Sequence, residues 1–127
     1  AVNNSDTLVE VPEFTLAVAK YERFIVNYNL FTTHNNTADI KVKVDVPASP
    51  TIYRAQLVSG GDEGTTTLTA EGDLALTTDT ANDIVTVKFL IQNGANAGNI
   101  VFSFAERDAS GAGVTLLGGS YAEYMRF

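Results

Sequence analysis

The chain has 127 residues, 45% hydrophobic and 18% charged, with no cysteine and no tryptophan. That suits one domain with an ordinary core, and it excludes disulfides, thiolate catalysis and cysteine zinc sites. The formal charge of -7, from 15 acidic and 8 basic residues, argues against a nucleic-acid partner, whose backbone needs a basic face.

Ala1–Asp6 is small and polar and reads as a loose or docking arm. AVNNSDTLVEV has no basic segment followed by an apolar one, so it does not read as a signal peptide. Thr7–Val11 predicts a short strand that stops at Pro12, which cannot donate to a ladder. Phe14–Val18 predicts another short extended piece, and Lys20–Thr33 the longest strand. In that strand Phe24, Val26, Tyr28 and Leu30 share one face, while Tyr21, Ile25 and Phe31 share the other with Arg23, Asn27 and Asn29. A sheet with one wet face should not carry apolar residues on both faces, so a second copy of the chain is expected to cover it.

The segment from His34 to Thr37 is a turn by composition. In Ile40–Val46 the alternation sends Ile40, Val42, Val44 and Val46 inward and Lys41, Lys43 and Asp45 toward water. The proline pair at 47–50 breaks it, and Thr51–Ser59 resumes as a strand with Ile52, Ala55 and Leu57. Gly60–Gly64 is the strongest break. Thr65–Thr80 alternates weakly around Leu68, Leu74 and Leu76, which predicts an exposed strand or a long ordered loop, with at most a turn of helix near 70–83. Ile84–Ile91 and Ile100–Ala105 are dense apolar runs around QNGANAGN. Val85, Val87, Phe89 and Ile91 share a face, as do Ile100, Phe102 and Phe104, and the Asn-Gly step suits a tight turn, so these runs predict a long β-hairpin. Asp108–Gly113 is a turn, Val114–Leu117 a short strand and Ser120–Phe127 a final strand.

About eight strands at a spacing of roughly 8–12 residues predict an all-β chain: one antiparallel, jelly-roll-like β-sandwich over residues 1–127, with 1–6 as its arm. No window approaches about 18 continuous apolar residues, so no membrane partner is expected. His34 is the only histidine and sits in a polar turn, where a solvated side chain is the plain reading. Asp62, Glu63, Glu71, Asp73, Asp79 and Asp83 offer oxygens to calcium, but their spacing does not follow the Asp-x-Asp-x-Asp-Gly loop. No cofactor, no metal and no catalytic residue is expected. Tyr21, Ile25, Phe31, Phe102, Phe104, Tyr121 and Phe127 are expected to form most of a contact between copies.

Two stretches resemble a known family. The first runs from NNSDTLVEVPEFTLAVAKYERFIVNYNLFTT to the turn at 47–50, and the second is VKFLIQNGANAGNIVFSFAERDASGAGVTLLGGSYAEYMRF. In the family an opening "NN-T-L--V--L-F-V" leads into a long aromatic-rich strand, and "NG-TAG-I---FA" followed by "GSYLEY-R" closes the domain. The chain is similar in these respects, outside about 58–83, to jelly-roll modules in virion proteins of tailed phages. The resemblance implies a homotrimer of the tumour-necrosis-factor/C1q type, placed on the capsid surface as a decoration protein bound to the major capsid protein. The alternative it implies is a head- or tail-fibre tip that binds a host glycan or surface protein. Fibre proteins usually carry a shaft, and nothing in this sequence reads as one, so the decoration role is the first expectation. The resemblance supplies no catalytic residue, and no enzyme is expected.

Overall fold

A computed structural model describes residues 7–33, 40–59, 65–76, 82–106 and 115–126. The predicted arm 1–6, the turns at 34–37, 60–64 and 108–113, and Phe127 lie outside the described residues.

The longest alternations become the longest strands, because side chains that point to one side every second residue can bury together only in extended chain. Among the described residues eleven strand segments result: β1 (Val9–Glu10), β2 (Leu16–Val18), β3 (Arg23–Thr33), β4 (Ile40–Asp45), β5 (Ile52–Ser59), β6 (Thr65–Leu68), β7 (Asp73–Leu76), β8 (Asn82–Gln92), β9 (Gly98–Glu106), β10 (Thr115–Leu116) and β11 (Tyr121–Arg126). A 3-10 turn, Pro12–Phe14, separates β1 from β2.

Two antiparallel sheets pack face to face. One has the order β1-β9-β4-β7, with β2 also on β9. The other has the order β10-β3-β8-β5-β6, with β11 also on β3. If β1 and β2 are taken as one interrupted strand and β10 and β11 are set aside, the remaining strands count from one to eight along the chain. The sheets then read 1-8-3-6 and 2-7-4-5, which is the connectivity of a jelly roll. The all-β sandwich expected from the sequence is the fold observed.

The core lies between the sheets. Phe24, Val26, Tyr28 and Leu30 of β3 meet Ile100 and Phe102 of β9, with Ile40, Val42 and Val44 of β4 and Val85, Val87, Phe89 and Ile91 of β8. Tyr28 stacks on Phe102 across the gap with ring centroids 4.6 Å apart, and Phe14 closes on both rings at 5.7 and 5.6 Å. Tyr53 packs edge-on to Phe89, and its hydroxyl crosses the sandwich to donate to the Val44 carbonyl at 2.9 Å. The two buried tyrosines differ, for the Tyr28 hydroxyl meets no hydrogen-bond partner.

Three expectations are corrected. Ile84 to Glu106 does not form a hairpin: β8 pairs with β3 and β5, while β9 pairs with β1, β2 and β4 in the opposite sheet. Residues 93–97 carry the chain from one sheet to the other, so the two apolar faces look at each other rather than lying side by side. Thr65–Thr80 is not one exposed strand, since β6 pairs with β5 and β7 pairs with β4 in the other sheet, with Leu74 fully buried. In β5 the inward set is Tyr53, Ala55 and Leu57, and Ile52 falls on the opposite face because it is out of phase with them.

The crossing at 93–97 is tied down by its neighbours. Asn93 is fully buried, and its side-chain amide donates to the carbonyls of Ala19 at 2.9 Å and Asn96 at 2.7 Å. Its backbone N–H donates to Glu22, the Tyr21 N–H donates to Gly94, and the Asn96 side chain donates to Ala48. Gly94 lies against the turn at Ser49, which has φ 59.

Tyr28→Phe is expected to leave stability within about 0.5 kcal/mol or raise it, whereas Tyr53→Phe strands the Val44 carbonyl and is expected to cost about 1–2 kcal/mol. Urea denaturation of the two variants checks the contrast. In the same assay Gly94→Ala, whose methyl would run into the Ser49 carbonyl oxygen, is expected to lose about 2 kcal/mol or more.

Candidate interaction surface

The outer faces of the two sheets have opposite character. On the β9-β4-β7 sheet the described outward residues include Lys41, Lys43, Asp45 and Asp73, with Asn99, Val101, Ser103 and Ala105 along β9. Register sets Lys41 beside Ala105 and Lys43 beside Ser103. Lys41 lies 4.0 Å from Asp73 and Lys43 3.1 Å from Asp45. Ala105 and Ser103 are buried although they face outward. Lys41 and Lys43 were expected to meet water freely, but their side chains are only 16% and 30% exposed.

On the β11-β3-β8-β5 sheet the register builds rows across four strands. Met125, Ile25, Leu90 and Arg54 make one row, and Glu123, Asn27, Lys88 and Gln56 make the next. Ile25 stands between two hollows. The hollow toward β5, of ≈ 310 Å³, is lined by Ile25, Leu90, Arg54, Gln56 and Lys88 among others. The one toward β11, of ≈ 190 Å³, includes Asn27, Glu123 and Met125. Met125 and Tyr121 are exposed on this face, and Ile25 and Leu90 are half-buried. The apolar run of Met125, Ile25 and Leu90 across this face stands out beside the ion-paired one.

The residues expected to join copies fall into four groups. Ile25, Phe31 and Tyr121 share the outer face of the second sheet, as their alternation predicts. Phe31 is partly used within the chain: its backbone N–H donates to the Ser120 hydroxyl at 2.9 Å, and Gly119, at φ 95, lies against its ring. Tyr21 is 67% exposed but lies before β3, in a turn with φ 61, where its N–H is held by Gly94. Phe102 and Phe104 are corrected. They point into the sandwich at 0% and 7% exposure, so their side chains meet the opposite sheet and present nothing to a second copy. Phe127 lies outside the described residues. Leu90 and Met125 were missed. Leu90 is out of phase with the core set of its own run, and Met125 is in phase with Tyr121, so phase was the signal that pointed to both.

At the edge of the first sheet, Glu71 accepts a hydrogen bond from the Val46 N–H at 3.0 Å. Burial, and then a hydrogen bond to Asp45, hold its carboxyl above the usual carboxylate range. Asp45 is at the same time paired with Lys43, whose ammonium that contact pushes up. Among the described residues no three His, Cys, Asp or Glu side chains gather as metal ligands.

Comparison of the chain with protein-family models, with curated proteins and with solved structures finds no match.

Because the folded state holds the Glu71 proton more tightly than the unfolded chain, its contribution is complete below about pH 4.5 and fades as pH rises through the folded value. Glu71→Gln keeps an acceptor for Val46 and removes a charge beside Asp45. The variant is expected to melt above the wild type at pH 7 and no higher than it at pH 4, as read by calorimetry.

Proposed function

We propose that the chain is a structural virion protein: a capsid decoration protein that binds the outer surface of a tailed-phage head through the major capsid protein and stabilises it. One observation carries this reading. The strand order 1-8-3-6 and 2-7-4-5 is the jelly roll that the resemblance of the opening and closing stretches implies.

Decoration is a physical task. A rigid sandwich that touches two lattice positions adds buried area between them and opposes outward pressure on the shell. Joining copies raises the effective concentration of each foot once the first has bound. The resemblance implies three copies, and the assembly proposed here is a homotrimer. No catalytic role is proposed for any residue.

The test is co-sedimentation of the purified chain with undecorated phage heads. Saturable binding at many copies per head, and heads that resist heating longer when coated, are expected. A folded chain that does not sediment with heads but binds a host surface glycan would replace this reading with a fibre tip.

A further inference from the structure

The outer face of the β11-β3-β8-β5 sheet has a charge order as well as an apolar row. Its acidic side chain, Glu123, is on β11 at one side. Lys88 and Arg54 are on β8 and β5 at the other, and Arg23, on β3 in the row beyond Ile25, donates to the Gln92 side chain at 3.0 Å. Glu123, Lys88 and Arg54 are exposed. Ile25 and Leu90 lie side by side between them. Such a face is complementary to itself when turned over about an axis that runs along the strands. We infer that this face pairs with the same face of a second copy of the chain, about a two-fold axis along the strands between β3 and β8.

The pairing follows from the register. A rotation about that axis keeps each row in place and exchanges its ends. Ile25 then lies over Leu90 of the second copy, beside the ≈ 310 Å³ hollow that Leu90 lines. Met125 lies over the aliphatic stem of Arg54. Glu123 lies over Gln56, with Lys88 and Arg54 of the second copy on either side, and the same contacts recur in reverse. Arg23 lies over Gln92 of the second copy, so no like charges are set directly over one another. An axis across the strands would instead keep every strand over itself and lose the pairing of acid with base. Sheets that pack face to face cross at about 30°, which leaves the central rows in contact.

The size is adequate. Four strands spaced about 4.8 Å apart and about 30 Å long offer about 570 Å² in plane and more as molecular surface, approaching the roughly 800 Å² per partner of a stable complex. The ion-paired outer face of the other sheet offers no comparable apolar row.

The inference does not rest on the virion reading, and it is compatible with three-fold assembly. A self-complementary patch closes with two copies, whereas a three-fold ring needs two different patches. This face would therefore join a subunit to a copy outside its own ring.

The test uses two variants and light scattering at about 100 μM. Wild type is expected at an even number of chains, two or six. Glu123→Arg sets three cations together in each contact, and Lys88→Glu with Arg54→Glu sets three acids together. Each variant alone is expected to fall to half the wild-type mass, with association weakened about tenfold or more. Mixed in equal amounts, the two are expected to recover the wild-type mass, because every acid again faces a base. A merely structural role for these exposed residues would give no recovery on mixing. Wild type at one or three chains would overturn the inference, as would variants that keep the wild-type mass or a folded mixture that stays apart. Head binding is read separately, so either proposal can fail alone.

Discussion

The sandwich depends on the stack of Tyr28 on Phe102, with Phe14 set against both rings. The two rings come from opposite sheets, and each sits at the middle of a long strand. When they meet, the inward residues on either side along β3 and β9 are brought to bearing distance, so one aromatic contact sets the gap between sheets for the rest of the core. Phe14 reaches the stack because Pro12 opens a 3-10 turn there and interrupts the first strand. The break in β1–β2 is thus how a third ring enters the centre.

A jelly roll also has to hold its crossings. Here the crossing at 93–97, the turn at 19–22 and the turn at 47–51 meet at one end and share hydrogen bonds. Asn93 serves two carbonyls with one amide and is itself buried. Glu22 accepts from the Ala19 N–H, from the Asn93 N–H through its own carbonyl, and from Arg126. Arg126 in turn lies over the Phe24 ring at 5.1 Å. β11 is therefore tied to the same corner, and among the described residues the non-glycine positions at positive φ, Tyr21 and Ser49, sit in the two turns that the corner holds. Strained backbone persists where surrounding bonds over-determine it.

How much of this could be read from the residues follows from what alternation encodes. Phase along a strand assigns side chains to faces, so the inward sets of β3, β4, β8 and β9 were legible. Phase does not say which strand lies beside which. Two apolar runs around Asn-Gly are written the same way whether they pair as a hairpin or face each other across a core, and the crossing at 93–97 was misread for that reason. Phe102 and Phe104 were expected at a contact between copies because phase alone does not say which face of a strand meets the core. Ser103 and Ala105, on the outward phase, are buried as well. On the candidate surface Ile25 and Tyr121 were legible from phase. That Met125 is the cross-strand neighbour of Ile25 was not, since 100 positions separate them and only the pairing of β11 with β3 brings them together.

The strand order also has a consequence for the growing chain. On the ribosome, β1 and β2 emerge first but have no partner until β9 appears, as Val9 pairs opposite Phe104. β3 waits for β8 and then for β11. Only β5 with β6, and β4 with β7, can pair while synthesis is still near the middle. The N-terminal third is thus held as unpaired, apolar, extended chain for most of translation, which is the state most open to chance strand pairing with another chain. β9, from residue 98 on, closes the first sheet, and β10 and β11 complete the second.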